Sequence, residues 1–295
     1  MTKLLIIIIF ILSGTLLQSQ ELYIVTEPAS NMATGSFGVR LTNRLMKMEP
    51  DGKYDYRLEP EMMFGISKHL MVHANLYASN MFQKQFRFEG AGLYAKYRFL
   101  SIDDVHSHFR MAAFGKITVI NNPNAISHTE IHDMGGGVIH EEEHRYYSNE
   151  IELDGNNSGF NTGIVATQLF HKLAVSGSAS YTNRWKNSSR PKESGLTNRA
   201  VNYSFSAGYL LLPREYKNYD QTNLNLYVEF LGAAGLDRKG YFIDAVPAIQ
   251  FIFNSISRLD LAYRTQISGN TLRFNKSSWL LRFEYNFLNV FGKNK

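Results

Sequence analysis

From Ser36 onward the chain alternates apolar and polar residues with a period of two, the spacing that sends successive side chains to opposite faces of a β-strand. The last segment is the clearest. In WLLRFEYNF, Trp279, Leu281, Phe283, Tyr285 and Phe287 share one face while Arg282, Glu284 and Asn286 share the other; a helical period would scatter both sets. LYAKYRF sets Leu93, Ala95, Tyr97 and Phe99 against Tyr94, Lys96 and Arg98, and RLDLAYRTQI sets Leu259, Leu261, Tyr263 and Ile267 against Asp260, Arg264 and Gln266. The same pattern predicts twelve strands, at 36 to 46, 55 to 66, 69 to 79, 88 to 100, 107 to 120, 159 to 170, 172 to 184, 200 to 212, 222 to 233, 240 to 253, 258 to 268 and 277 to 290. In the fifth and sixth of these, glycine and alanine blur the alternation.

The connections come in two alternating sizes. Those after the second, sixth and tenth predicted strands are tight (Ser67-Lys68, His171-Lys172, Asn254 to Ser257), whereas those after the third, fifth, seventh and eleventh are longer, polar and rich in Asn, Gly and Ser. Short turns at one end and long loops at the other are the signature of an outer-membrane β-barrel, with the short turns facing the periplasm. An even strand count brings both termini to the short-turn side. A periplasmic β-sandwich also has one apolar and one polar face per strand. Three features favour the barrel. The strands are about 10 to 13 residues long, enough for a tilted membrane crossing and longer than usual in a globular sheet. Apolar-face aromatics gather at strand ends, as interfacial girdles do: Phe37, Phe99, Tyr209 and Phe253 at the periplasmic side, Tyr181, Tyr241 and Trp279 at the exterior side. The chain also finishes in an alternating aromatic strand with Phe291 close behind, the kind of C-terminal signal through which outer-membrane assembly machinery recognises barrels.

The N-terminus, MTKLLIIIIFILSGTLLQSQ, has one positive residue, a short apolar run and then small or polar residues, which predicts a secretory signal peptide at 1–19. The apolar run is too short for a spanning helix, and no later stretch reaches about 18 apolar residues. Residues 20–35 are then a periplasmic N-terminal segment, either a tail or a small plug, and 36–295 the barrel. Cysteine is absent, which excludes a disulfide framework, thiolate metal sites and a cysteine nucleophile. With 20 Phe, 17 Tyr and 2 Trp against 7 Pro, composition favours sheet. The net charge of +5 is dispersed, so nucleic acid is not an expected partner. Outer-membrane lipid is.

If the apolar face meets lipid, the polar face lines a lumen. By register, Arg40, Arg44, Arg57, Glu59, Glu61, His73, Lys96, Arg98, Glu229, Asp244, Asp260, Arg264, Arg282 and Glu284 fall on it. Unpaired charges in a narrow interior are costly, so these should form an ion-pair network. Twelve strands enclose a lumen between the filled interiors of small barrels and the open channels of sixteen-stranded porins. Mixed signs point to a conduit for small solutes; a non-conducting structural or surface-binding barrel is the rival. An outer-membrane hydrolase is a third reading, but the chain has no HxSNG-type, GxSxG or P-loop signature, and no enzyme activity is expected.

Four of the nine histidines lie in HTEIHDMGGGVIHEEEH, within the longest connection, 121–158. His128 with His132, and His140 with His144, would share a face if each segment formed a helical turn, and Gly135 to Gly137 would let the halves fold back until four imidazoles converge. That would make a zinc or copper site, with Glu130, Asp133 or Glu141 as alternative oxygen ligands. No other cofactor is expected. A solvated loop is the alternative. His69, His106, His108 and His171 form a second, periplasmic set of histidines.

The segments TEPASNMATGSFGVRL (26–41), AGLYAKYRF (91–99), DDVHSHFRMAAF (103–114), PREYKNYDQTNLNL (213–226) and AVPAIQFIFNS (245–255) resemble a largely uncharacterised family of Gram-negative outer-membrane barrel proteins. Its members are described as transporter-like and are often associated with heavy-metal handling systems. The resemblance spans the mature chain and implies a transport-related barrel with a metal link. The His/Glu segment between Met134 and Asn156 is longer than that family would suggest.

Overall fold

A computed structural model of the chain describes residues 23–49, 51–83, 85–105, 107–122, 125–133, 139–185, 196–213 and 221–291. The predicted signal peptide lies outside the described residues. Twelve antiparallel strands close into one barrel: β1 (Phe37–Met48), β2 (Tyr54–Gly65), β3 (Leu70–Ser79), β4 (Arg87–Asp103), β5 (Ser107–Ile120), β8 (Gly159–Phe170), β9 (Leu173–Arg184), β10 (Arg199–Leu212), β11 (Asn223–Gly235), β12 (Tyr241–Phe253), β13 (Ser257–Gly269) and β14 (Asn275–Phe287). Each overlaps one of the twelve predicted strands. Two further strands, β6 (Ala125–Asp133) and β7 (Ile139–Tyr147), pair only with each other, in the connection between β5 and β8. No helix occurs among the described residues.

Closure is made by β1 against β14, in register from Phe37 opposite Phe287 to Lys47 opposite Ser277. It removes the two sheet edges whose unpaired amides and carbonyls hydrocarbon could not satisfy. Pro247 has no N–H to donate, and the β12–β13 pairing lapses between Ala245 and Ala248. The tight turns follow backbone chirality. His171, which opens the two-residue β8–β9 turn, has φ 52°, and Asn254 and Ser255, in the three-residue β12–β13 turn, have φ 50° and 56°; left-handed residues let such short connections follow the twist of the strands they join. The size asymmetry has one break. The 213–222 connection stands at the short-turn end yet is ten residues long in the sequence.

Burial is inverted relative to a soluble protein. Val39, Leu41, Leu45, Leu93, Tyr97, Phe99, Tyr209, Trp279, Leu281 and Phe283 are all exposed on the outer face, while Arg40, Arg57, Glu59, His73, Lys96, Glu229, Asp244, Asp260, Arg282 and Glu284 are buried inside. A continuous apolar belt around a polar interior is what a strand wall in lipid requires, and a sandwich core would show the reverse.

Residues 23–35 do not hang outside as a tail. They run inside the barrel, and Tyr23 and Ile24 are buried with Tyr227, Leu231, Val246 and Leu280. The expectation of helical turns around His128 to His144 is also corrected, because β6 and β7 form a two-stranded hairpin. The β-branched residues Ile126, Thr129, Ile131 and Ile139, the closing Tyr146 and Tyr147 and the glycines in the middle of the run suit a hairpin.

Candidate lumen and its two occluding segments

The inner wall carries both signs of charge in paired arrays. Arg40, on β1, reaches Glu284 on β14 (Nε to Oε2, 2.7 Å), Glu61 on β2 (3.1 Å) and Glu27 of the N-terminal segment (2.7 Å). Glu61 also bonds His73. Arg44 pairs with Glu59 at 2.8 Å, Arg258 with Glu284 at 2.8 Å and with Asp260 at 3.2 Å, and Arg264 with Asp244 at 2.6 Å. Gln250 bridges Asp260 to Asn225 and Tyr227. Of the fourteen residues assigned to the lumen by parity, thirteen lie in this interior. Arg98 stands at the short-turn rim, where its guanidinium donates to the Lys68 carbonyl.

Two segments fill the space these walls enclose. The first is the N-terminal stretch, which meets strands around the whole circumference. The buried Glu229 carboxylate on β11 accepts three successive backbone amides, from Ile24 (2.6 Å), Val25 (2.9 Å) and Thr26 (3.0 Å), together with the Thr26 hydroxyl (2.9 Å). Opposite it, the fully buried Lys96 ammonium on β4 donates to the carbonyls of Pro28 (2.6 Å) and Ser30 (2.7 Å). Thr167 on β8 accepts from the Ala29 amide, Arg110 on β5 donates to the Ser30 hydroxyl, and Arg282 on β14 donates to the Ile24 carbonyl. The segment has few side chains that could pair, so wall charges satisfy its backbone directly, which is how an irregular strand can lie dry inside a barrel. Glu27 is its own charged anchor. Burial would raise its carboxyl, but the charges of Arg40, Lys96 and His73 outweigh that and hold it well below the usual carboxylate range.

The second segment, 148–158, turns back from the hairpin into the long-loop end. Ile151 and Leu153 are buried on one side, and Glu150, Glu152 and Asp154 alternate with them toward a cluster of cations. Arg264 grips both Glu152 oxygens (2.7 and 2.8 Å). Arg273 bonds Glu150 at 2.7 Å and Asp244 at 2.8 and 3.0 Å, and Lys116 pairs with Asp154. Arg57 donates to the carbonyls of Asp154 and Gly155, each at 2.9 Å. Gly155 has φ +69°, and a Cβ there would come within 2.7 Å of the Arg57 guanidinium carbon, so a side chain would push this grip apart. Burial works against the Glu152 carboxyl, yet Arg264, Arg273 and Arg44 prevail and lower it to about 2. Arg273 is raised, its burial outweighed by Glu150 and by the hydrogen bond and charge of Asp244.

Between the two segments remains a cavity of about 40 Å³, room for only a few waters. Val25 lines it from one side, Glu150, Glu152 and Asp154 from the other, and Arg44, Arg57, Arg264 and Arg273 surround them.

Several residues of this arrangement escaped the sequence reading. Arg258 has the parity of Asp260 and Arg264 but stood at a predicted strand boundary. Lys116 and Arg110 lie on β5, whose alternation is blurred. Glu150, Glu152 and Asp154 were legible as a short period-two run inside a connection. Arg273, in the 270–274 loop, gave no periodic signal.

The four histidines of the hairpin fall at paired positions, His128 opposite His144 and His132 opposite His140. Among the described residues, the periplasmic histidines gather no metal-binding group. His69 bonds the Arg98 carbonyl, His108 bonds Asp103 at 2.8 Å, and His106 lies outside the described residues. Among the described side chains, no group of three His, Asp or Glu is arranged to hold a metal ion.

No protein-family model matches the chain, and no curated protein matches it. Solved structures do. The COG4313 outer membrane channel from Pseudomonas putida F1 aligns over 90% of this chain and 100% of its own with a TM-score of 0.53 at 10% identity. The KdgM porin aligns over 85% of this chain and 99% of its own with a TM-score of 0.46 at 6% identity. At 10% identity the likeness to the COG4313 channel is one of fold: a closed outer-membrane barrel.

Proposed function

We propose that the chain is an outer-membrane channel for small polar solutes whose conduit is closed, in the conformation described, by two displaceable segments. The observation that supports this is how the lumen is filled. A barrel meant only as a wall can fill its interior with its own side chains. Here charges on the wall hold two stretches of backbone that belong to no strand, through contacts that water could replace one for one. If both segments withdrew, Arg40, Arg44, Arg57, Glu59, Glu61, Lys96, Glu229, Asp244, Arg264 and Glu284 would line a hydrated passage of mixed sign, suited to small polar molecules rather than to one sign of ion. The short-turn end is assigned to the periplasm and the long-loop end, with the hairpin, to the exterior. Delivery there requires the N-terminal export signal read from the sequence, and insertion requires the assembly machinery to recognise β14.

The small residual cavity also favours a second reading, a non-conducting barrel that serves as a platform for its exterior hairpin. Solute flux separates the two. Liposomes carrying a variant that lacks residues 23–34 and has Glu150→Gln, Glu152→Gln and Asp154→Asn should admit small sugars and amino acids faster than liposomes carrying the native chain. A folded variant that admits none removes the channel reading and leaves the platform.

A further inference from the structure

The β6–β7 register puts the positions of its histidines and of two of its glutamates on a single face. The register sets His128 opposite His144, Glu130 opposite Glu142 and His132 opposite His140, three consecutive rungs of like with like on one side of the sheet. The other side is different. There Thr129 faces Glu143, Ile131 faces Glu141 and Ser127 faces Arg145, so no acid opposes an acid. Like charges placed directly opposite each other destabilise an antiparallel pair, since their Cβ atoms are only about 4.5–5.5 Å apart. A Glu130–Glu142 rung flanked on both sides by histidine pairs is therefore unfavourable by itself and favourable around cations. The sheet also has a fixed base. Ile126, one rung below His128 on the same face, packs against the buried cluster of Met46, Met48, Met81 and Phe274 at the barrel mouth.

We infer that this face of the hairpin binds two divalent transition-metal ions of the zinc or copper type, one at His128–His144 and one at His132–His140, with the Glu130–Glu142 rung supplying a carboxylate to each. The register decides between this and one four-histidine site. The two histidine rungs are four residues apart along the strand, about 13 Å, whereas an imidazole and its metal bond together reach only about 6 Å from Cβ. One ion could meet all four rings only if every ring lay along the sheet toward the centre. The Glu130–Glu142 rung is about 7 Å from each histidine rung, close enough for a carboxylate to complete a set of two imidazoles and one carboxylate, with water in the remaining position. The inference is independent of whether the lumen conducts.

Titration of the full-length protein in detergent with Zn²⁺, and separately with Cu²⁺, by calorimetry tests it. The native chain should take up two ions. The pair His128→Ala with His144→Ala should take up one, and so should the pair His132→Ala with His140→Ala. All four changes together should abolish uptake. Glu130→Gln with Glu142→Gln should weaken both sites at least tenfold, while Glu143→Gln on the opposite face should leave both unchanged. Heat-modifiable gel mobility checks that each variant retains its barrel. Loss of all uptake on changing either histidine pair alone, undiminished binding in the fourfold variant, or no binding by the native chain overturns the proposal.

Discussion

Glu229 holds the N-terminal segment with one carboxylate shared among three amides and a hydroxyl. Such an acceptor arrangement has no counterpart in the segment's own chemistry, so the grip depends on the wall's charge and can be loosened without disturbing any strand. Hydrogen bonds to an ionised group contribute about 1.5–3 kcal/mol each, and Glu229→Gln replaces that acceptor with a neutral, differently shaped one. The substitution should raise channel open probability in planar bilayers roughly 10- to 100-fold, the equivalent of one such contact, with the barrel still heat-modifiable. Unchanged gating would mean that the segment is held elsewhere. Glu229 itself was readable from parity on β11. Its three amide donors were not, because TEPASNMATG carries no period from which a path through a lumen could be drawn. The same limit applies to Lys96: its position on the inner face follows from alternation, its service to Pro28 and Ser30 only from the fold.

Among the elements, strands were the most legible and connections the least. A strand in a barrel has one face in lipid and one in the lumen, so its pattern is written by solvent alone, and twelve strands could be placed from it. The β6–β7 hairpin was missed because its polar residues on both faces leave only weak contrast, and HxxxH spacing suits a helix as well as a strand. The 148–158 segment follows neither pattern for long, and its anchors come from β2, β5, β13 and the 270–274 loop. Its hold should depend on pH. The Glu152 carboxyl is lowered from an ordinary value of 4.5 to about 2 when the segment is docked. A lowered pKa favours docking fully above about 4.5, and that contribution falls away as pH drops toward about 2. Hydrogen-exchange protection within 148–158, taken relative to the free-peptide rate at each pH, should therefore be high at pH 6 to 8 and fall between pH 4.5 and 2.5. Glu152→Gln should make exchange fast at neutral pH and flatten this dependence. The lipid face has a separate test. Leu281 lies mid-strand on β14 and is 47% exposed to the surrounding medium. Leu281→Arg should lower barrel stability in bilayers by about 2–4 kcal/mol, measured as a lower urea midpoint for refolding into vesicles.

For the whole molecule, inside and outside are exchanged relative to a soluble protein, and one consequence follows from the other. Because the apolar surface is spent on lipid, the interior must be stabilised by ion pairs and hydrogen bonds whose net contribution is small, since desolvation offsets most of their attraction. An interior of that kind can exchange protein contacts for water at modest cost, which an apolar core could not. Closure of the barrel supplies the stability, through backbone ladders that join every neighbouring pair of strands from β1 around to β14. Single-channel recording tests the proposed channel most directly, comparing the native chain with the variant that lacks residues 23–34 and carries Glu150→Gln, Glu152→Gln and Asp154→Asn. Rare, brief openings are expected from the native protein and sustained stepwise conductance from the variant. A variant that folds as a heat-modifiable barrel and stays at the lipid background would contradict the proposed channel.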